Sequence, residues 1–331
     1  MREAVFVRKN AAKWKELEDT EQASADQLAR NFITLTDDLS YARTFYPGSD
    51  TVGYLNGIAA KYHMLIYRNK REDKGHFLRF WTRDLPLEMG ASRKFLLYSF
   101  LIFSLAFCFG VFATTRDETF VRLILGDTYV NMTLKNIAKG DPMAVYKSAG
   151  QTEMFLAITF NNIRVALLTF VAGVLFSFGT VWVLFRNGVM LGAFQFFFYQ
   201  QDLLAPSVLT IWIHGTLEIS AIIIAGAAGM VMGNSLLFPG TWSRLESFKR
   251  GARRGLKMVL GLVPVFVAAG FLEGFVTRHT EMPVWLSIGI ITCSAAFVLY
   301  YFVIFPLKLR TSFANGKDQP EGRTGFRPEN Q

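Results

Sequence analysis

The sequence predicts an all-α fold: a polytopic membrane helix bundle carrying a small cytoplasmic helical domain. Three observations predict it. The 331 residues are 51% hydrophobic and 15% aromatic, with a mean hydropathy of +0.27, which is unusual for a soluble chain and ordinary for a membrane one. Apolar runs recur at roughly 95–113, 158–185, 188–201, 208–236, 258–276 and 284–306. The Lys and Arg residues collect beside those runs, where cytoplasmic loops carry them.

Residues 1–90 read as a cytoplasmic domain of three helices ending in an interfacial elbow, with no cleavable signal ahead of residue 90. The first helix is strongly charged, with Phe6, Trp14 and Leu17 as sparse apolar anchors. Ser24 opens a second, in which Leu28, Phe32, Leu35, Leu39 and Ala42 fall at helical spacing. Pro47-Gly48 ends it, and Asp50 or Thr51 caps a third helix running to about Asn69. Segment 76–85 mixes Phe77, Phe80 and Trp81 with Arg79 and Arg83, which suits either a helix at headgroup depth or an ordinary juxtamembrane linker.

Residues 91–310 form the transmembrane domain. Five of the apolar runs are long enough to span; run 188–201 is short, and charge parity decides that it crosses. Segment 61–94 holds nine Lys and Arg against four acids, segment 240–257 six against one, and loop 116–153 five of each. The positive-inside rule then puts 61–94 and 240–257 in the cytoplasm and 116–153 outside. Three crossings must separate the last two, giving six spans with both termini cytoplasmic in a bacterial inner membrane. Within the outer loop 116–157, residues 119–138 are apolar enough for a helix pair. The polar tail 311–331 is expected to be disordered. Pro264 is expected to kink the fifth run.

Composition excludes several functions. The net charge of +9 sits beside membrane spans rather than on a nucleic-acid face. Cys108 and Cys293 lie inside apolar runs and build neither a disulfide framework nor a thiolate metal site. No phosphate-cradling glycine loop occurs. His63, His76 and His279 fall outside the spans and read as solvent-exposed.

Ionisable groups inside the spans are the candidate site. His214 and Glu218, four apart, share one helical face of run 208–236. With that run entering from outside near residue 208, they lie roughly 9 and 15 Å down the helix axis. Glu273 in the fifth run, and Asn161, Asn162 and Arg164 in the second, fall at similar depth. Such groups are costly in hydrocarbon and are most cheaply satisfied by one another. Three readings stay open: a structural network in which Arg164 pairs with Glu218 or Glu273, a lipid, glycan-carrier or small-solute pathway, and a metal-dependent or acid–base hydrolase. A metal needs at least three protein ligands, and HGTLE is not the two-histidine zinc helix; no metal or cofactor is expected. A second signal is small-xxx-small spacing at Gly188/Gly192, Gly229/Gly233 and Gly270/Gly274, which lets helices approach closely within the bundle or at a dimer seam.

The HGTLE element with its trailing small residues, the NNIRVAL opening of run two, the FRNGVMLG turn between runs two and three and the late GFLEG acid together resemble the integral membrane family typified by stage II sporulation protein M. The resemblance covers about residues 90–310. It implies a scaffold that recruits peptidoglycan-degrading enzymes for septal thinning and engulfment, and it attaches no catalytic role to His214, Gly215, Glu218, Asn162 or Glu273. The long charged N-terminus is similar to that of the longer, non-sporulation members and departs from the short start of the sporulation protein. The resulting expectation is a non-enzymatic inner-membrane scaffold or subunit of an envelope- or lipid-related complex. Its expected partners are membrane lipid, envelope proteins and a second copy in a homodimer, the copy covering the spare anchors Phe6, Trp14 and Phe32. A transporter or channel-like component is the first alternative, and a metal-dependent intramembrane hydrolase the second.

Overall fold

Apolar residues at helical spacing produce helices throughout. The computed structural model describes residues 2–18, 25–68, 75–117, 119–144, 150–278 and 282–314, and no strand occurs among them. The chain divides into two units, Met1–His76 and Phe77–Gln331.

The first unit is α1 (Glu3–Glu18), α2 (Ala25–Phe45) and α3 (Asp50–Arg68). The expected start at Ser24 lies outside the described residues. Gly48, at φ +86°, makes the turn between α2 and α3, a conformation a side chain would resist. Leu35 and Leu55 are fully buried, with Trp14 and Tyr62 beside them. The polar atoms of both rings are satisfied: Trp14 Nε1 donates to Asp38 Oδ2 at 2.8 Å, and the Tyr62 hydroxyl donates to Leu17 O at 2.8 Å. Lys13 pairs with the same Asp38. Phe6 and Trp14 are thus not spare; they close the unit's own core, with Phe32 packed against it.

The elbow belongs to the second unit, so the division falls after residue 76 and not at 90. Leu85 and Met89 are buried in the membrane unit's core, and Phe80 and Trp81 pack against it. Here α4 (His76–Arg79), a π-turn over Phe80–Asp84 and α5 (Leu85–Ala91) lead into the first span.

Six helices among the described residues are long and apolar enough to cross a membrane, and the protein is a multi-pass membrane protein. The spans are α6 (Arg93–Arg116), α9 (Gln151–Val171, extended to Val174), α10 (Phe178–Gln200), α11 (Leu204–Leu237), α12 (Arg244–Leu260) continued by α13 (Val263–Phe271), and α14 (Val284–Leu299) continued by α15 (Phe305–Ala314). Between the first two lie α7 (Phe120–Leu125) and α8 (Asp127–Ala138), the helix pair of the long loop. They pack Val121 and Val130 against Phe197, Phe198 and Ile211 at one end of the bundle.

Several boundaries differ from the sequence reading. Run 158–185 is not one span. The chain reverses at Leu175–Ser177, where Phe176 and Ser177 adopt positive φ of 50° and 69°, and the third span then runs 23 residues from Phe178. FRNGVMLG is therefore not a turn but the middle of α10, and its Gly188 packs against α6. In the fifth span the interruption comes at Gly261–Leu262, and Pro264 sits in the first turn of α13, where its missing N–H has no helical partner to lose. The basic segment 240–257 is largely the amphipathic α12. Helix α15 runs to Ala314, so the tail expected to be disordered from 311 is ordered over its first residues; 315–331 lie outside the described residues.

Helix α11 is the hub, flanked by α6, α9, α10, α12, α13 and α14. Its stretch Ala225–Gly233 is buried throughout because small side chains let neighbouring backbones approach. Side-chain hydroxyls tie the neighbours on: Ser99 Oγ donates to Ile223 O at 2.6 Å and Ser247 Oγ to Ser235 O at 2.6 Å. The starts of the first and fifth spans and the end of the sixth meet at one end of the unit. Arg254 Nε donates to Glu88 Oε1 at 2.6 Å, and Arg310 Nη1 to Gly90 O at 3.1 Å. An even number of crossings between these segments requires that shared end.

Candidate intramembrane polar site

Helices α9, α11 and α13 bring the site together. Along α11, His214 and Glu218 follow from the four-residue spacing on one face. They lie roughly 15 and 21 Å from the start of the helix at Leu204. Across from them α13 does not continue as a regular helix; residues Leu272–Val276 form a π-turn. The extra residue in that turn re-aims the side chains, a feature that recurs at functional sites. It presents Glu273 to α11, with Glu273 Oε2 3.7 Å from His214 Nε2.

Thr277 fixes the imidazole. Its Oγ1 lies 3.0 Å from His214 Nδ1 and 3.1 Å from Leu272 O. A hydroxyl has one proton, and the Leu272 carbonyl can only accept, so Thr277 donates there and accepts from Nδ1–H. That assignment puts the lone pair of His214 on Nε2, the atom facing Glu273. One ligating atom each from His214, Glu218 and Glu273 lies within 4.8 Å of the others. His214 and Glu273 are largely shielded, at 5% and 15% side-chain exposure.

From α9, Asn162 joins the two acids in a pocket of about 370 Å³ whose walls also include Ala157, Ile158 and Asn161. Asn162 is only 4% exposed, and its Nδ2 makes no hydrogen bond of proper geometry. Arg164 does not join. Two residues beyond Asn162, it is rotated some 200° around the helix, is exposed, and has no ion-pair partner among the described residues. Thr277 is the member that sequence reasoning missed. Its spacing of four from Glu273 on an apolar helix is the available signal, a weak one because threonine is unremarkable in such a context. His279 lies outside the described residues.

The six glycines all pack within the chain. A methyl at Gly188 would meet Ala106 Cβ at 2.7 Å, and one at Gly274 would meet Phe155 Cβ at 3.1 Å. Gly192 abuts Phe107, Gly229 and Gly233 abut the α9–α10 corner, and Gly270 abuts Thr159. Gly270 and Gly274 therefore seat α13 and its π-turn on α9, holding Glu273 at the depth of Asn162.

A family model described as stage II sporulation protein M matches residues 99–278. The chain belongs to the stage II sporulation protein M family. The matched region of this family runs from the first span through the π-turn, so every residue of the polar site lies inside it. A second model, a domain of unknown function (DUF8413), matches residues 4–68, within the first unit. Neither a curated protein nor a solved structure matches the chain.

Proposed function

We propose that this chain is a non-enzymatic membrane component, a scaffold or subunit of an envelope- or lipid-related complex. In this reading the six-span unit is the anchor and the three-helix unit is the part offered to partners. The carrying observation is that the first unit closes a core of its own around Trp14, Leu35, Leu55 and Tyr62. A module that folds on its own contacts keeps its surface for other proteins. Ile33 and Met64, 59% and 64% exposed, are apolar groups on that surface of the kind that protein interfaces use. Photo-crosslinkers at Ile33 and Met64 in intact membranes test the proposal. Discrete adducts with envelope proteins are expected, and no adduct at either position would sink it.

The same reading places the chain in a bacterial inner membrane with both termini cytoplasmic. The charge bias of 61–94 and 240–257 supports this, as does the meeting of Glu88, Arg254 and Arg310 at one end of the bundle. Membrane lipid is the expected surrounding of the exposed apolar face of α14, where Trp285 and Ile288 point outward. The homodimer of this reading uses surfaces other than Phe6, Trp14 and the six glycines, which are engaged within one chain. A second reading, passage of a small solute, is favoured by the pocket between Asn162, Glu218 and Glu273; it requires proton-dependent binding that Glu218→Gln abolishes.

A further inference from the structure

The polar site gathers three metal-ligating atoms from two neighbouring elements of the fold. His214 Nε2 carries a lone pair, and two carboxylates converge on it from α11 and the π-turn that follows α13. At 3.7 Å the Nε2–Oε2 separation is too long for a proton shared between them, and Arg164, the cation whose depth suited it for the role, points elsewhere. We propose that His214 Nε2, Glu218 and Glu273 hold a divalent metal ion of the zinc class, with water from the adjoining pocket completing its coordination.

The donor set fits. One imidazole nitrogen and two carboxylate oxygens are a zinc-type mixture, and three protein ligands plus an open position is the arrangement of accessible rather than closed sites. Bonds of about 2.1 Å in a tetrahedron separate ligand atoms by roughly 3.4 Å. The observed spread, at most 4.8 Å, needs side-chain rotation of about an ångström and no movement of the helices. Calcium needs six or more oxygens, more than these residues provide. Two carboxylates and a dication sum to zero charge, the condition under which such groups sit in low-dielectric surroundings at least cost.

Independently of the ligand atoms, the surrounding residues point to an occupant. Thr277 accepts from Nδ1–H, which orients the ring and leaves Nε2 as the coordinating atom, the role that outer-sphere partners play at metal-bound histidines. Asn162 is a buried amide with an unsatisfied Nδ2 lining the pocket against both acids. Glu218 is within reach of that donor, and a metal-bound water, or the second oxygen of Glu218 once drawn onto the metal, would complete its hydrogen bonding. The pocket is the route by which water or an exchanging ligand reaches the open position.

The inference does not depend on the scaffold reading, because a scaffold with a structural metal and a scaffold without one crosslink alike. The test uses the full chain in detergent, stripped with chelator and dialysed against micromolar Zn²⁺, with bound metal counted by mass spectrometry. About one ion per chain is expected. Glu273→Gln, which preserves shape, should weaken binding by at least tenfold, and Thr277→Val by about tenfold through loss of ring orientation. Zn²⁺ should raise the unfolding temperature of the wild type and not that of Glu273→Gln. A readout on the wild type alone stands beside these: Co²⁺ in the site should show the intense visible bands of a four- or five-coordinate ion. Failure of the stripped wild type to take up zinc, binding unchanged in Glu273→Gln, or a weak octahedral cobalt spectrum each overturns the proposal.

Discussion

Replacing Gly229 with alanine tests the packing at the hub of the bundle. A methyl there would sit 2.8 Å from Thr169 O and 3.0 Å from Thr180 Cγ2, with Thr180 Oγ1 closer still. The first of these is backbone, so the clash cannot be relieved by rotating a side chain. Thr180 Oγ1 also donates to Thr169 O at 2.7 Å, and moving either group lengthens that bond. Overpacking costs about 1–3 kcal/mol, and the disturbed hydrogen bond adds roughly 0.6–1 kcal/mol. Alanine's better helix propensity offsets about 0.8 kcal/mol, so the net destabilisation is about 1–3 kcal/mol. Gly289 on α14 is the control, because a methyl added there would meet nothing within 4 Å. Gly289→Ala should be neutral or stabilising by up to about 1 kcal/mol. Unfolding of the detergent-solubilised protein by denaturant compares the two. Equal midpoints for Gly229→Ala and Gly289→Ala would refute the close approach of α9, α10 and α11.

Further outcomes follow from single contacts. Tyr62→Phe should lower the stability of the first unit by about 1 kcal/mol, because it removes the hydroxyl that donates to Leu17 O; native-state hydrogen exchange of the α1 and α3 amides reads it. Arg254→Ala should cost no more than about 1 kcal/mol, since Arg254 is 42% exposed and solvent screens its pair with Glu88; a thermal-unfolding shift measures it. Arg164→Gln should change stability by less than about 0.5 kcal/mol and leave metal uptake unaltered, because the guanidinium is turned away from the acids; a large loss in either measurement would return Arg164 to the site. Thiol labelling from the outside should reach Gly140→Cys and not Leu245→Cys, and the reverse pattern would invert the proposed orientation.

How far the sequence can be read depends on which signal a residue carries. His214 and Glu218 are legible because a fixed spacing on a long apolar helix determines a shared face, and Glu273 because topology sets its depth. Depth says nothing about azimuth, which is why Arg164 groups with Asn162 in the sequence although the helix turns it away. The reversal at Leu175–Ser177 is hidden because Phe176 and Ser177 take left-handed conformations that tertiary packing imposes, and because Gly173, Ser177 and Gly179 around it are also ordinary residues of a membrane helix. FRNGVMLG misleads in the opposite direction: Arg186, Asn187 and Gly188 look like a loop, yet all three lie within α10 and the glycine is a packing contact. The π-turn at Leu272–Val276 has no sequence signature, and with it the final aim of Glu273 is unreadable. In the first unit, Phe6 and Trp14 look spare in the sequence because pattern alone does not reveal how well three short helices close over one another.

The most direct test of the central claim, that α9, α11 and α13 bring Asn162, Glu218 and Glu273 to one place inside the membrane, is paired-cysteine crosslinking in a background lacking Cys108 and Cys293. Ile158→Cys combined with Glu273→Cys, both on the pocket wall, should be joined by a short bifunctional thiol reagent in native membranes. Arg164→Cys combined with Glu273→Cys should not. Crosslinking of the second pair in preference to the first would contradict the arrangement and remove the site with it.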